Sequence, residues 1–301
     1  MKYFDKQIHH NRGQAWFISR IIESGYEINK QRGLCFGIAY LGMRAFLLSE
    51  EDRFIERWLF IKYQPLRFFQ TLRHHSGYAN YSGFKYACSL NSTEYYQRHG
   101  NEIPYPTKDK FPPADLYAFF DSMLLLQLPQ QYSQLFPEGR YLSQSTKPAF
   151  KLTEPVKLAN SKEQTEHSNL KPTCIADRRN NYDKEQLSWL LENIASNVVK
   201  RVALVLHAKN HAINLNYDPK SETWLLINAN NLPGVFVKDC EQLASLLYYD
   251  FDIKKKKPET LNIQTEVYVN KHHVATVKPM FINIFQDVKK RTLSPCQNES
   301  L

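Results

Sequence analysis

Two alternating apolar runs flank a strong turn signal in "HAINLNYDPKSETWLLIN", residues 211–228. Aspartate favours turn initiation and proline presets its own torsion, so Asp218-Pro219-Lys220-Ser221 marks a reversal between two strands. Side chains alternate across a strand, which puts His211, Ile213, Leu215 and Tyr217 on one face of the first. Trp224, Leu226 and Asn228 share a face of the second. A four-residue loop at 218–221 sets Leu215 opposite Trp224, Ile213 opposite Leu226 and His211 opposite Asn228. Directly opposed residues have Cβ atoms about 4.5–5.5 Å apart, so the asparagine amide is expected within reach of the imidazole. A one-residue slip would send the two polar side chains to opposite faces.

Helices come before this hairpin. "QAWFISRIIESG" repeats Trp16, Phe17, Ile21 and Ile22 near a 3.6 period and stops at Gly25. A second helix runs from Cys35 to about Leu48, and a third starts at "SEED" with Ser49 as N-cap and Asp52 three residues on. Another spans roughly Ala114 to Leu126. Residues 141–182 are poor in apolar side chains and rich in proline, which predicts a mobile loop. Asp183 caps a further helix, and "RVALVLHA", "HAINLNY" and "TWLLINAN" follow as strands. Asp239, with Gln242 three residues later, caps a helix from Cys240 to about Tyr249, and "LNIQTEVYV" and "HVATV" are the last strand candidates. The layout is α+β, with helices first and an antiparallel sheet later.

Composition narrows the function classes. The 301 residues suit one large domain or two small ones. No apolar stretch reaches the roughly 18 residues needed to span a bilayer, and the first residues lack a signal peptide's apolar core. Cys35, Cys88, Cys174, Cys240 and Cys296 form no CxxC pair, which argues against a disulfide framework or zinc knuckle and for a reducing compartment. The net charge of +9 includes Lys254, Lys255, Lys256 and Lys257, read as a solvated loop able to make weak contact with an anionic membrane. No nucleic-acid-binding motif accompanies them.

Cys35 is the candidate nucleophile. The thiolate is the reactive species, and free cysteine near pKa 8.5 supplies little of it at neutral pH. The positive end of a helix dipole favours the thiolate, and an imidazolium nearby favours it further. Cys35 at a helix start, His211 as base and Asn228 holding the ring meet those needs. The competing reading of Cys35 is a small buried residue. His207 and His211 have the spacing of HExxH, but "HAKNH" lacks the glutamate and lies on a strand, so no metal is expected. The adjacent pairs His74-His75 and His272-His273 make no natural chelate, and the other four cysteines have no assigned role.

"GLCFGIAYLGMRAF", followed much later by "HAINLNYD" and "WLLINAN", resembles the papain-like cysteine peptidase superfamily, closest to YopT-type bacterial effector peptidases. The resemblance implies a papain-like fold, with a nucleophile helix packed on a C-terminal antiparallel sheet. It implies Cys35 as nucleophile, His211 as general acid and base, Asn228 as orienting residue, and Asn29 or Gln31 as oxyanion donor. Phe36 stands where the family often has tryptophan, and Asn228-Ala229-Asn230 where effector families place Asp-Pro-Asn. On this reading residues 1–65 carry the nucleophile helix, 66–182 an insert, 183–285 the sheet and 286–301 a polar tail. The implied activity is cleavage of a peptide or isopeptide bond in a protein substrate, a host protein in the case of a translocated effector, without a cofactor. Deamidation and acyl transfer use the same groups, and a non-catalytic module binding a protein or anionic membrane is the alternative of another class.

Overall fold

Helix ends in this chain are set by backbone geometry at single residues. The computed structural model describes residues 13–26, 33–70, 113–127, 172–208, 211–251 and 260–293. Helix α1 (Gln14–Glu23) stops where expected: Gly25 takes φ 104, and the N–H groups of Gly25 and Tyr26 return to Ile22 and Ile21. Helix α2 (Cys35–Leu47) ends the same way at Ser49, φ 57, with the Ser49 and Glu50 N–H groups bonded to Phe46 and Ala45. Ser49 therefore closes α2 and is not the N-cap of α3 (Glu51–Tyr63), whose N-cap is Glu50 without a side-chain bond. A capping motif in sequence lost to a stronger stop signal for the preceding helix.

The chain divides into two compact units, Met1–His167 with Ile227–Pro233, and Ser168–Leu226 with Gly234–Leu301. The helical unit holds α1, α2, α3 and α4 (Pro113–Gln127). Its core is aromatic. Phe17 and Trp58 lie 4.1 Å apart, and Trp58, Phe54 and Phe119 meet edge to face at 5.5–6.0 Å. Such pairs contribute about 0.5–1.5 kcal/mol each beyond burial. The buried Arg57 guanidinium lies 5.3 Å from the Phe119 ring, which supplies a cation–π partner. Helices α2 and α4 approach so closely at Gly37 that a Cβ there would run into the Met123 carbonyl.

The six strands β1 (Pro172–Tyr182), β2 (Val202–Ala208), β3 (His211–Asp218), β4 (Thr223–Asn228), β5 (Asn231–Val237) and β6 (Leu261–Asn270) form one sheet of order β1-β6-β2-β3-β4-β5. In the second unit, Leu204, Leu206, Ile213, Leu215 and Val267 on one sheet face pack into a core shared with α5 (Lys184–Asn197), α6 (Cys240–Phe251) and α7 (Val274–Leu293). Asp183 caps α5 in a full capping box with Gln186, and Asp239 accepts the Gln242 N–H at 2.7 Å to cap α6.

Four expectations change. The last part of the predicted 141–182 loop is strand β1, paired with β6 from Pro172↔Asn270 to Tyr182↔Leu261. It is a polar edge strand, held by its backbone ladder more than by an apolar pattern. "HVATV" is the start of α7, whose Val277, Phe281, Ile284, Phe285 and Val288 bury one face at helical spacing despite Pro279. The same helix continues to Leu293, so residues 286–293 are not tail. Strand β5 was not expected. Pro233 and Gly234 disfavour a central strand, but β5 is an edge, where proline costs no ladder bond. Asn29, Gln31, Cys88, Cys296, His74, His75, Lys254, Lys255, Lys256 and Lys257 lie outside the described residues, as do most of 66–182 and residues 294–301.

Candidate active site

Cys35 is the first residue of α2 and is 4% exposed. The first turn of α2 has no acidic residue, and its N-cap Leu34 makes no side-chain cap. The initial N–H groups of a helix have no acceptor within it. Here two glutamines from elsewhere supply acceptors. Gln14 Oε1 accepts the Leu34 N–H at 3.0 Å, and Gln127 Oε1 accepts the Gly37 N–H at 3.0 Å. The close approach at Gly37 brings the end of α4 to the start of α2. Pro113–Gln127, expected inside an insert, thus packs directly on the helix that carries Cys35.

Asn228 is the last residue of β4 and is 1% exposed. Its Oδ1 accepts the Asn230 N–H at 3.0 Å, the side-chain-to-backbone bond of an Asx turn. Asn230 Oδ1 in turn accepts from Gln14 Nε2 at 3.3 Å. All these groups belong to the helical unit, since residues 227–233 cluster with it. Cys35 and Asn228 are therefore in one unit, joined through Leu34, Gln14 and Asn230.

His211 belongs to the other unit. It opens β3, pairs with Ala208 of β2, is 3% exposed and meets the Phe251 ring edge-on at 6.0 Å. The turn after β3 occupies residues 219–222, with Glu222 at φ 51 and Lys220 N–H bonded to Asp218 Oδ1. It starts one residue later than the loop assumed at 218–221. The direct opposition of His211 and Asn228 expected from a loop at 218–221 does not follow from that turn.

His207 cannot share a metal with His211. The pairs His207↔Ala212 and Ala208↔His211 are adjacent rungs of β2 and β3, and adjacent rungs project to opposite faces. His207 Nε2 instead lies 3.5 Å from Glu266 Oε1 on β6, and Tyr268 donates to Glu266 Oε2 at 2.7 Å. Among the described residues no three His, Cys, Asp or Glu side chains cluster as a metal site.

Cys240 is the first residue of α6. Burial pushes its thiol up, and the Glu192 and Asp239 charges push it higher. Cys174 sits at the β1 bulge, its Sγ 3.3 Å from the Ala176 carbonyl oxygen. Sequence reasoning missed Gln14 and Gln127, which lie 20 or more residues from what they cap. No protein-family model, curated protein or solved structure matches the chain.

Proposed function

We propose that this protein is a papain-like, cysteine-dependent hydrolase that cleaves a peptide or isopeptide bond of a protein substrate through a thioester. The observation that carries the reading is Cys35 at the first position of α2, with no carboxylate in that turn. Negative charge at a helix start is favoured by the dipole, which serves both the thiolate and the oxyanion that forms when it attacks.

In the proposed reaction His211 takes the Cys35 proton and Sγ adds to the carbonyl carbon. The tetrahedral intermediate collapses, the C–N bond breaks, and His211 returns the proton to the departing amine. Water then gives a proton to His211 and attacks the thioester, and Cys35 leaves as thiolate. An amine in place of water gives acyl transfer from the same intermediate, and a side-chain amide substrate gives deamidation. Asn228 orients the imidazole. A carbonyl oxygen has two lone pairs, so Asn228 Oδ1 can hold the Asn230 N–H and still accept from histidine. The site needs no cofactor. Among the described residues no helix is long and apolar enough to cross a membrane. A reducing compartment suits the thiol, and a host cytosol would suit an effector.

The test is the pH dependence of alkylation at Cys35, followed peptide by peptide by mass spectrometry in wild type and His211→Ala. The reading expects Cys35 to react well below the pH range of an ordinary thiol and His211→Ala to abolish that advantage. A Cys35 profile that matches Cys174 and ignores the mutation would overturn it.

A further inference from the structure

We infer that Gln14 is a positioning residue for the candidate site, locking the turn that follows Asn228 to the start of the helix that carries Cys35. The inference rests on the hydrolase reading and adds to it a residue that no part of the triad includes.

The primary amide of Gln14 is used at both ends. Its oxygen accepts the Leu34 N–H, one residue before Cys35, at 3.0 Å. Its nitrogen donates to Asn230 Oδ1 at 3.3 Å, two residues after Asn228. The Asn230 N–H closes the series on Asn228 Oδ1 at 3.0 Å. The backbone of Leu34, the glutamine amide, the turn and the orienting residue thus form one hydrogen-bonded chain within one compact unit.

One glycine clears the way for it. A Cβ on Gly33 would stand 2.7 Å from Gln14 Oε1, where a larger residue displaces the amide from the Leu34 N–H. A Cβ on Gly13, the N-cap of α1, would stand 3.4 Å from the Asn230 carbonyl oxygen. Glycine at 33 lets the first residue of α1 reach the start of α2, while position 13 lies at ordinary contact distance from the 228–230 turn. An amide is the side-chain group that offers an acceptor and a donor at this reach. Leucine matches its bulk and offers neither; glutamate keeps the acceptor and loses the donor; asparagine is one methylene shorter.

A thiolate attack site tolerates little displacement, and an error of about 1 Å in positioning can cost on the order of 100-fold in rate. A lock between the nucleophile's helix and the orienting residue's turn acts on that tolerance without touching substrate. The N3 donor that a capping side chain at Leu34 would bond, the Gly37 N–H, is accepted by Gln127 of α4, and Gln14 holds the N–H of the N-cap residue itself.

The experiment measures the pH profile of Cys35 alkylation, with thermal unfolding in parallel, for Gln14→Leu, Asn230→Ala, Asn230→Asp and the double variant Gln14→Leu/Asn230→Ala. Loss of one net hydrogen bond corresponds to roughly fivefold. Gln14→Leu and Asn230→Ala are each expected to slow neutral-pH alkylation of Cys35 about fivefold and move its profile to higher pH. Asn230→Asp keeps an acceptor for Gln14 and should slow alkylation less than Asn230→Ala does. The double variant should be no slower than Gln14→Leu alone. Asn230 is exposed, so Asn230→Ala carries the test if Gln14→Leu fails to fold.

A purely structural role would lower the unfolding temperature and leave the profile in place, and that result overturns the inference. A wild-type profile that depends on His211 but is unchanged in both single variants also overturns it, while leaving the hydrolase reading intact. If wild-type Cys35 behaves as an ordinary thiol, both fall together.

Discussion

Cys35 and Cys240 occupy the same local position, the first residue of a helix, one in each unit, and their surroundings differ in charge. In α2 the N-cap is Leu34, the next residue is Phe36, and the acceptors for the first turn are neutral glutamine amides. In α6 the N-cap is the carboxylate of Asp239, and Glu241 follows the cysteine. Asp239 caps its helix well, but its charge occupies the place a thiolate would use. Burial, and after it the Glu192 and Asp239 carboxylates, push the Cys240 thiol up. A helix terminus alone therefore does not make a reactive thiol. At Cys240 burial is the first cause and the neighbouring carboxylates add to it, whereas the start of α2 carries no carboxylate.

The sharpest way to break this comparison is to remove the packing that holds α2. Gly37→Ala drives a methyl into the Met123 backbone carbonyl, which no rotamer change relieves. Overpacking against backbone costs about 3 kcal/mol, and a urea titration should show at least that loss in the helical unit. A midpoint within error of wild type would mean that α2 and α4 separate easily and that Cys35 is loosely held.

A second effect belongs to the sheet unit. Burial raises Tyr182 above its ordinary 10.0, with a bond from Asn180 opposing, and raises Cys240 as well. Both groups then release a proton more readily when unfolded. Their contribution to stability is complete below about pH 9 and declines as pH rises through the unfolded and then the folded values. Urea midpoints measured between pH 8 and pH 11 should fall, and Tyr182→Phe with Cys240→Ser should flatten that fall. An unchanged slope in the double variant would assign alkaline sensitivity elsewhere.

The smallest effect tests the comparison directly. Phe36→Glu gives α2 the residue that follows the cysteine in α6. A carboxylate near a helix start and its thiolate interacts by about 0.5 kcal/mol at an exposed position, so alkylation of Cys35 near neutral pH should slow two- to threefold. Cys240, read in the same digest, serves as the internal standard and should not change. Equal slowing of both would point to a global effect.

Much of the architecture is legible in the chain. The 3.6 periodicity of "QAWFISRIIE", the Asp183 and Asp239 caps, and the alternation of "ALVLHA" and "HAINLNY" each correspond to an observed element. These are local signals, set within a few residues. The misses are those in which a distant partner decided. Residues 172–182 lack an apolar pattern and become strand because β6, some 80 residues on, offers a backbone edge. Ser49 looks like a helix start and serves as the preceding helix's stop. Val274, Thr276 and Val277 have strand preference locally, but the apolar stripe ending at Val288 buries better as helix.

The candidate site divides along the same line. By itself the sequence determined that Cys35 opens a helix, that His211 and Asn228 sit on strands beside a turn, and that the spacing of His207 and His211 falls on strand instead of helix. Residue spacing and torsional preference are enough for that. Only tertiary structure decided that Gln14 and Gln127 supply the acceptors for the start of α2, that Asn228 shares a unit with Cys35, and that burial pushes the Cys240 thiol up at the same helical position. Hydrogen bonding and desolvation act through space over a few ångströms, and the chain brings those groups together from separations of up to about two hundred residues.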